Sequence, residues 1–348
     1  MGTLFNWNMI LRVVLIKKLN AAIIGCGSIF KQHADAVAES SDAILVCVVD
    51  TDEVKAKKTA KTWGCSFHTD YSEMLKDRGI DVVHICTPHY LHAQMAVDAL
   101  AAGKHVLTEK PMAITTEDAK RMIQASKTYG KSLGICFQNR YNLTSLRIKE
   151  LLVSGRCGAV LGAKAYVTWH RDEKYYLDSG WRGTWSKEGG GVLINQAIHT
   201  LDLLQWFLGE VDCIKANTST RKLANIIEVE DTADALIRFK SGIDAVFYAT
   251  NCYPVNSPVF MEILCEKVVI RLDGELVITY KNGDRETIED KNMITGEKSY
   301  WGMSHKKLIM DFYKCVLEQR PFPIDGEEGI KALKMVLDIY QAAHKTCH

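Results

Sequence analysis

The sequence predicts a two-domain protein. A doubly wound parallel α/β sheet comes first, and an α+β domain with an open, mostly antiparallel sheet covered by helices on one face follows. Three observations carry this expectation. The length of 348 residues is about two domains' worth at roughly 150 residues each. Up to residue 140, apolar runs of strand length alternate with segments of helical period, the pattern of a parallel sheet covered on both faces. After residue 140 the grammar changes to many short strand-like runs separated by Gly, Asn and Asp turns.

Taken in order, NAAIIGCGS (20–28) is an apolar run ending in glycines, and IFKQHADAVAES places Ile29, His33, Ala36 and Val37 on one helical face. AILVCVVD (43–50) is continuously apolar and ends in an acid, as a strand buried on both faces does. DEVKAKKTAKTWG then reads as a helix with Gly64 past its end. DVVHICTP (81–88) is a strand, and the helix YLHAQMAVDALAAGK ends at Gly103 as its C′ residue. HVLTEKP (105–111) is a further strand. The next helix opens with Thr115 and Asp118 at capping-box spacing and stops at Gly130. SLGICFQ (132–138) closes the series, and Pro88 and Pro111 lie at the C-terminal ends of strands, where ligands bind in open α/β sheets.

The second half opens with a helix over 143–153. The strand-like runs AVLGAKAYVTWH, CIKANTST, TADALIRF, DAVFYATN, PVFMEILCE, VVIRL and ELVITY follow. One helix, 194–209, is embedded among them, and helical period returns in HKKLIMDFYKCVLE and GIKALKMVLDIYQAAH. The expected organisation is an extension over 1–19, a first domain over 20–140 and a second over 141–348. The extension contains an apolar run interrupted by Arg12, too short for the roughly 20 residues of a membrane span. Met9 could also serve as a start, and the alternative is an added β-strand or partner-binding arm.

Composition narrows the function. Forty-three Lys+Arg against 42 Asp+Glu leave no cationic excess to displace phosphate counterions, so no nucleic-acid or acidic-membrane partner is expected. The 11 cysteines are scattered, form no C-x-x-C pair, and several lie in apolar runs (Cys47, Cys86, Cys136). That usage points to a reducing compartment, the cytoplasm, and argues against both a disulfide framework and a zinc site.

Three constellations could carry chemistry. Gly25-Cys26-Gly27-Ser28-Ile29 follows a strand and opens a helix, and Asp50 lies 23 residues after Gly27 at the end of the next strand. Glycines admit a pyrophosphate, a helix N-terminus offers free N–H groups, and the acid accepts from ribose hydroxyls. The same carboxylate would repel a 2′-phosphate, favouring NAD over NADP. Phe30 stands where a third small residue is usual. Glu109-Lys110-Pro111 reads alone as a solvated charge pair beside a chain-reversing proline. At a strand end beside the glycine motif, it reads as a crevice lysine. The third is Gly189-Gly190-Gly191 leading into a helix with Asn195 and His199 at i, i+4 and Asp202 three further on, where it could orient the imidazole.

Together, GCGSIFKQH, Asp50, TPHYLH (87–92), GKHVLTEKPMA (103–113) and GGGVLINQAIHTLD (189–202) resemble the Gfo/Idh/MocA family of NAD(P)-dependent sugar, inositol and related dehydrogenases. The resemblance runs from about residue 20 to the C-terminus. It implies a Rossmann domain, an open-sheet domain, a substrate between them, and a homodimer or homotetramer packed through the sheet face. It places Gly25, Gly27, Ser28 and Ile29 along the pyrophosphate and Asp50 on the adenosine ribose. Thr87, His92 and Glu109 would flank the nicotinamide half, Lys110 is the crevice lysine and His199 the proton-transfer residue. Gln138, Trp181 and Arg182 match positions that contact cofactor, and Arg140 one that contacts cofactor or substrate. Asn195 stands where the family often has Asp; an amide cannot accept a proton, so Asn195 is expected to hydrogen-bond a substrate hydroxyl. His89 stands where Asn is common. The segment 168–185, with Tyr176 among its aromatic residues, suits either sugar recognition or a packed aromatic loop.

The reaction this implies is oxidation of a secondary hydroxyl on a sugar, glycoside or cyclitol, with no metal. Two alternatives stay open: redox-neutral glycoside cleavage or epimerisation through a transient ketone with retained NAD, and a non-catalytic NAD-binding regulator.

Overall fold

A computed structural model of the protein describes residues 18–289 and 304–345. Most of the expected extension lies outside the described residues. Leu19, its last position, already belongs to the first strand.

The first half runs β1 (Leu19–Ile24), α1 (Phe30–Ala38), β2 (Ala43–Val49), α2 (Glu53–Trp63), β3 (Ser66–His68), α3 (Tyr71–Leu75), β4 (Val82–Ile85), α4 (His89–Ala101), β5 (His105–Thr108), α5 (Thr116–Tyr129) and β6 (Leu133–Ile135). All six strands are parallel, in the order β3-β2-β1-β4-β5-β6. The order reverses between β1 and β4, so the crevice at their C-terminal ends is the binding position for this topology. Every residue of β4 is buried, which is why it reads as an unbroken run rather than an alternation. Thr115 caps α5 by accepting from the Asp118 amide, as its spacing predicts. β3 and α3 were not foreseen; three and five residues are too short to show a period.

The second half contains α6 (Leu143–Val153), β7 (Val160–Thr168), α7 (Glu173–Leu177), α8 (Ile198–Leu208), β8 (Val211–Ser219), β9 (Thr232–Phe239), β10 (Asp244–Thr250), β11 (Phe260–Cys265), β12 (Val268–Asp273), β13 (Glu275–Tyr280), β14 (Arg285–Ile288), α9 (His305–Leu317) and α10 (Gly326–Lys345). Its sheet runs β14-β13-β12-β11-β7-β10-β9-β8, antiparallel except where β7 lies parallel to β10. One face buries Ala235, Ile237, Ala245, Phe247, Met261 and Ile263 in the main core, while Leu236, Val246 and Leu264 on the other face are exposed.

One expectation needs correction. The helix expected over 194–209 opens as a π-turn, Leu193–Ala197, before α8 begins. Glu230 takes the Gly191 and Leu193 amides, and the Asn195 and Gln196 side chains are tied elsewhere, so the wider turn is held by its neighbours. The C-terminal helices also reach across to the first half. His305 and Tyr313 of α9 reach Glu109 and His84 of the first half, and α10 packs beside α5 as well as β8. Among the described residues no helix is long and apolar enough to cross a membrane.

Candidate active site

The glycine turn is built by backbone proximity. Gly25 has φ +97°, and a Cβ there would lie 2.6 Å from the Cys86 carbonyl oxygen. β1 therefore cannot leave the sheet this close to β4 with any larger residue. The Cys26 amide donates to Asp50 Oδ2 at 2.9 Å, and Lys55 Nζ approaches the same oxygen at 2.9 Å. Burial alone would raise Asp50, but Lys55 and the Asp52 and Cys26 amides hold it below the ordinary carboxylate range.

This turn fits a dinucleotide pyrophosphate. A Cβ on Gly27 would meet nothing within 4 Å. No side chain caps the N-terminus of α1, whereas Asp52 and Thr115 cap α2 and α5. The Phe30 and Gln32 amides turn back to the Gly27 and Ile29 carbonyls, and the uncapped helix end still presents its positive pole to an anion. Phe30 does not obstruct the cradle; its ring is buried against Trp63, Val48 and Ile23.

At the end of β5 a cis peptide joins Lys110 to Pro111. Lys110 Nζ donates to the Asn195 carbonyl at 2.8 Å, linking the first sheet to the π-turn. Burial lowers Lys110, while Glu109 and Glu188 work to keep it charged. Glu109, expected to flank the nicotinamide half, is buried. Its Oε1 lies 3.0 Å from His33 Nε2 and 3.4 Å from His305 Nε2, and its Oε2 accepts from the Lys110 amide at 3.2 Å. His33 continues to His84 at 2.8 Å, and His84 to the Tyr313 hydroxyl at 2.7 Å. Burial would raise Glu109, but His305 and His33 hold it well below the usual range. Its role is to brace Lys110 from behind.

Cys136 completes a cluster whose S, N and O atoms with His33 and Glu109 lie within 4.8 Å. Burial raises its thiol well above the ordinary range, and the other two members already bond each other. The cluster is accounted for as a buried polar network.

His92 is fully buried, with Nδ1 2.7 Å from the Pro111 carbonyl and Nε2 2.8 Å from the Thr87 carbonyl. It ties the turn after β4 to the turn after β5. Thr87 itself is half-buried at that turn, its hydroxyl 3.6 Å from Met95 Sδ.

His199 is half-buried, its ring edge-on to Phe137 and its Nε2 3.5 Å from Gln138 Nε2. Burial and the Lys110 cation hold it well below the ordinary histidine range, so the ring is neutral at neutrality. Asp202 does not orient it. Both Asp202 oxygens are taken by Arg140, at 2.8 Å from Nε and 2.6 Å from Nη2. Arg140 Nη1 reaches Glu328 at 3.0 Å, so this buried guanidinium is tied to two carboxylates, through three of its five N–H donors. The simple i, i+4 relation of Asn195 and His199 also fails across the π-turn: Asn195 is tied toward Glu188 and Tyr175, and His199 lies against Phe137 and Gln138.

From α7 and the loop after it, Trp181 packs edge-on to His89 with ring centroids 4.7 Å apart. Arg182 lies over the Tyr175 and Trp181 rings at 4.3 and 4.9 Å. Among the described residues its guanidinium makes one long contact, 3.4 Å from Nη1 to the Tyr175 carbonyl, and its Nε is buried without a partner. A guanidinium with so few bonds suits an incoming polar ligand. Tyr176, expected at the substrate, is instead buried, its hydroxyl accepting from Asn251 at 2.9 Å. The hydroxyl beside Asn195 belongs to its neighbour Tyr175, 3.3 Å from Asn195 Nδ2. Sequence reasoning missed Tyr175, Glu188 and Glu230. For Glu188 the available signal was a lone acid directly before three glycines.

Residues 19–137 match the family described as an oxidoreductase family with an NAD-binding Rossmann fold, and residues 145–271 match the GFO/IDH/MocA C-terminal domain. The chain belongs to the Gfo/Idh/MocA family. It is an enzyme, an NAD-dependent dehydrogenase of a family that acts on CH–OH groups. Among Gfo/Idh/MocA relatives, a D-glucoside 3-dehydrogenase of Escherichia coli strain K12 is 28% identical, over 93% of this chain and 95% of that protein. A myo-inositol 2-dehydrogenase of Thermotoga maritima is 25% identical, over 94% and 96%. The crystal structure of the WlbA dehydrogenase from Bordetella pertussis, in complex with NADH and UDP-GlcNAcA, superposes with a TM-score of 0.85 at 31% identity, covering 95% of this chain and 96% of that one.

Proposed function

We propose that this enzyme oxidises a secondary hydroxyl of a sugar, glycoside or cyclitol, with His199 as proton acceptor and Lys110 as electrostatic stabiliser. The observation that carries the reading is the meeting of Lys110 with the Asn195 carbonyl, close enough to His199 for its charge to depress the imidazole. Gly25, Gly27, Ser28, Ile29 and Asp50 would hold NAD, with Trp181, Arg182 and Gln138 toward its reactive end. NAD, when bound, supplies the hydride acceptor.

The neutral imidazole can take the hydroxyl proton at neutrality. The ammonium of Lys110 stabilises negative charge developing on the same oxygen. Glu109 holds the Lys110 backbone amide and favours the charge on its side chain, and His92 fixes the turn that carries it. The names of the relatives, a glucoside and an inositol dehydrogenase, support a polyol substrate. The exposed sheet face with Leu236, Val246 and Leu264 supports a homodimer or homotetramer. The free thiol state of every cysteine among the described residues supports a cytoplasmic location.

The test is a screen of purified protein, with NAD and NADP separately, against hexoses, inositols, glycosides and nucleotide sugars. Net NADH formation that is lost in Lys110→Met and His199→Ala is expected. Turnover without net NADH would move the reading to redox-neutral cleavage or epimerisation. Absence of turnover with every substrate would overturn it.

A further inference from the structure

Glu188 favours the charge on Lys110, and it also bears on what Asn195 can offer a substrate. The segment that carries it is clipped to the start of α4. The Tyr90 amide donates to the Lys187 carbonyl at 3.1 Å, and His89 Nδ1 donates to the Glu188 carbonyl at 2.8 Å. The Glu188 side chain turns inward and is 1% exposed. Oε2 accepts from the Gly183 amide at 2.5 Å, and Oε1 accepts from Asn195 Nδ2 at 2.5 Å. The Tyr175 hydroxyl lies 3.3 Å from the same nitrogen.

An amide has two N–H donors on one side and its acceptor on the other. Both donors of Asn195 are used, and no described residue donates to Oδ1. We propose that Glu188 is a positioning residue of the dehydrogenation: its carboxylate fixes the Asn195 amide so that Oδ1 accepts a hydroxyl of the substrate. This rests on the polyol reading given above. It also accounts for an amide at a position where the family often has an acid. The charge has moved seven residues earlier in the chain, and the amide relays its acceptor character without ionising.

The arrangement depends on the ionisation of Glu188. Once protonated, it must still accept from Gly183, so its O–H points at Asn195. The amide then turns over to present oxygen to that O–H, and the crevice meets N–H₂ instead of Oδ1. Burial pushes Glu188 up to about 7, against the opposing Gly183 amide, Asn195 amide and Arg182 cation, with Glu230 adding to the rise. The other charged or titratable groups facing it are Lys110 and His89 from the first domain, Tyr175 and Tyr176 from α7, and Tyr340 from α10. Of these, burial lowers Lys110 while Glu109 and Glu188 favour its charged form, and burial holds His89 well below the ordinary histidine range.

The experiment is the pH dependence of kcat/KM for NAD reduction by the wild type and by Glu188→Gln and Asn195→Ala, with the best polyol from the screen. Wild-type kcat/KM should fall about tenfold per pH unit below about pH 7, as loss of one essential ionisation does. Glu188→Gln mimics the protonated acid. It should lack this limb and show kcat/KM about tenfold lower at about pH 8, mostly through KM, the size expected for one hydrogen bond. Quenching of tryptophan fluorescence by NAD checks that the variant is folded and loaded. If Glu188→Gln does not fold, Asn195→Ala decides, because it removes the relay while leaving the acid, and it too should lose the limb. An active wild type whose folded variant keeps the limb unchanged overturns the role of Glu188 alone. A wild type inactive with every polyol overturns the functional reading, and this inference with it.

Discussion

Asp202→Asn should cost folding stability and leave the catalytic pH profile as it is. Asp202 is fully buried, and both its oxygens are held by Arg140, which is itself 4% exposed. Breaking a buried pair costs ~3–5 kcal/mol, mostly because the surviving charge is left uncompensated. Two features of the structure put this case near the lower end, about 3 kcal/mol. Arg140 keeps its 3.0 Å bond to Glu328, and an Asn oxygen can still accept one guanidinium N–H. The paired replacement Arg140→Met with Asp202→Leu should cost much less than either single change, since both charges leave together. Urea unfolding followed by tryptophan fluorescence gives the stabilities, and steady-state rates at several pH values give the profile. The reasoning is refuted if Asp202→Asn is as stable as wild type but loses turnover by orders of magnitude, because Asp202 would then be acting on His199.

Lys110→Met should lower kcat about 10²–10³-fold, as removal of a preorganised charge stabiliser does. The melting temperature should change little, since the side chain is half-buried and bonds one carbonyl; equal loss of stability and rate would assign it a structural part. Asp50→Ala should weaken NAD binding at least about tenfold, through the lost ribose acceptor and the lost brace on the Cys26 amide, as isothermal titration can show. The same variant should narrow the preference for NAD over NADP, and an unchanged ratio would argue against that role. Val246→Glu should reduce the assembly size seen by light scattering, because Val246 pairs with Leu236 on the exposed sheet face; an unchanged mass would place the interface elsewhere.

The sequence was most legible where one residue's chemistry is fixed by its backbone. The Gly25 turn, Asp50 at the end of β2 and Lys110 at the end of β5 stand where their spacing puts them, because a parallel sheet delivers its strand ends to one crevice. Less was legible where a side chain's partner comes from far along the chain. The bond from Arg140 to Glu328 of α10 has no local signal. Nor do the bonds that bury Glu109 against His305 of α9 and His92 against the Pro111 carbonyl. The π-turn was hidden because Glu230, which holds it, lies 39 and 37 residues downstream of the Gly191 and Leu193 amides it accepts from. Tyr175 and Tyr176 were inseparable in sequence, and only the packing of Asn251 decides which of them is buried.

NADH formation by the wild type and by His199→Ala, on one polyol and at saturating NAD, tests the central claim most directly. The account predicts steady NADH production by the wild type. It predicts a fall of about 10²–10⁴-fold in the variant, which should still bind NAD normally. A variant that oxidises the polyol at the wild-type rate would contradict it.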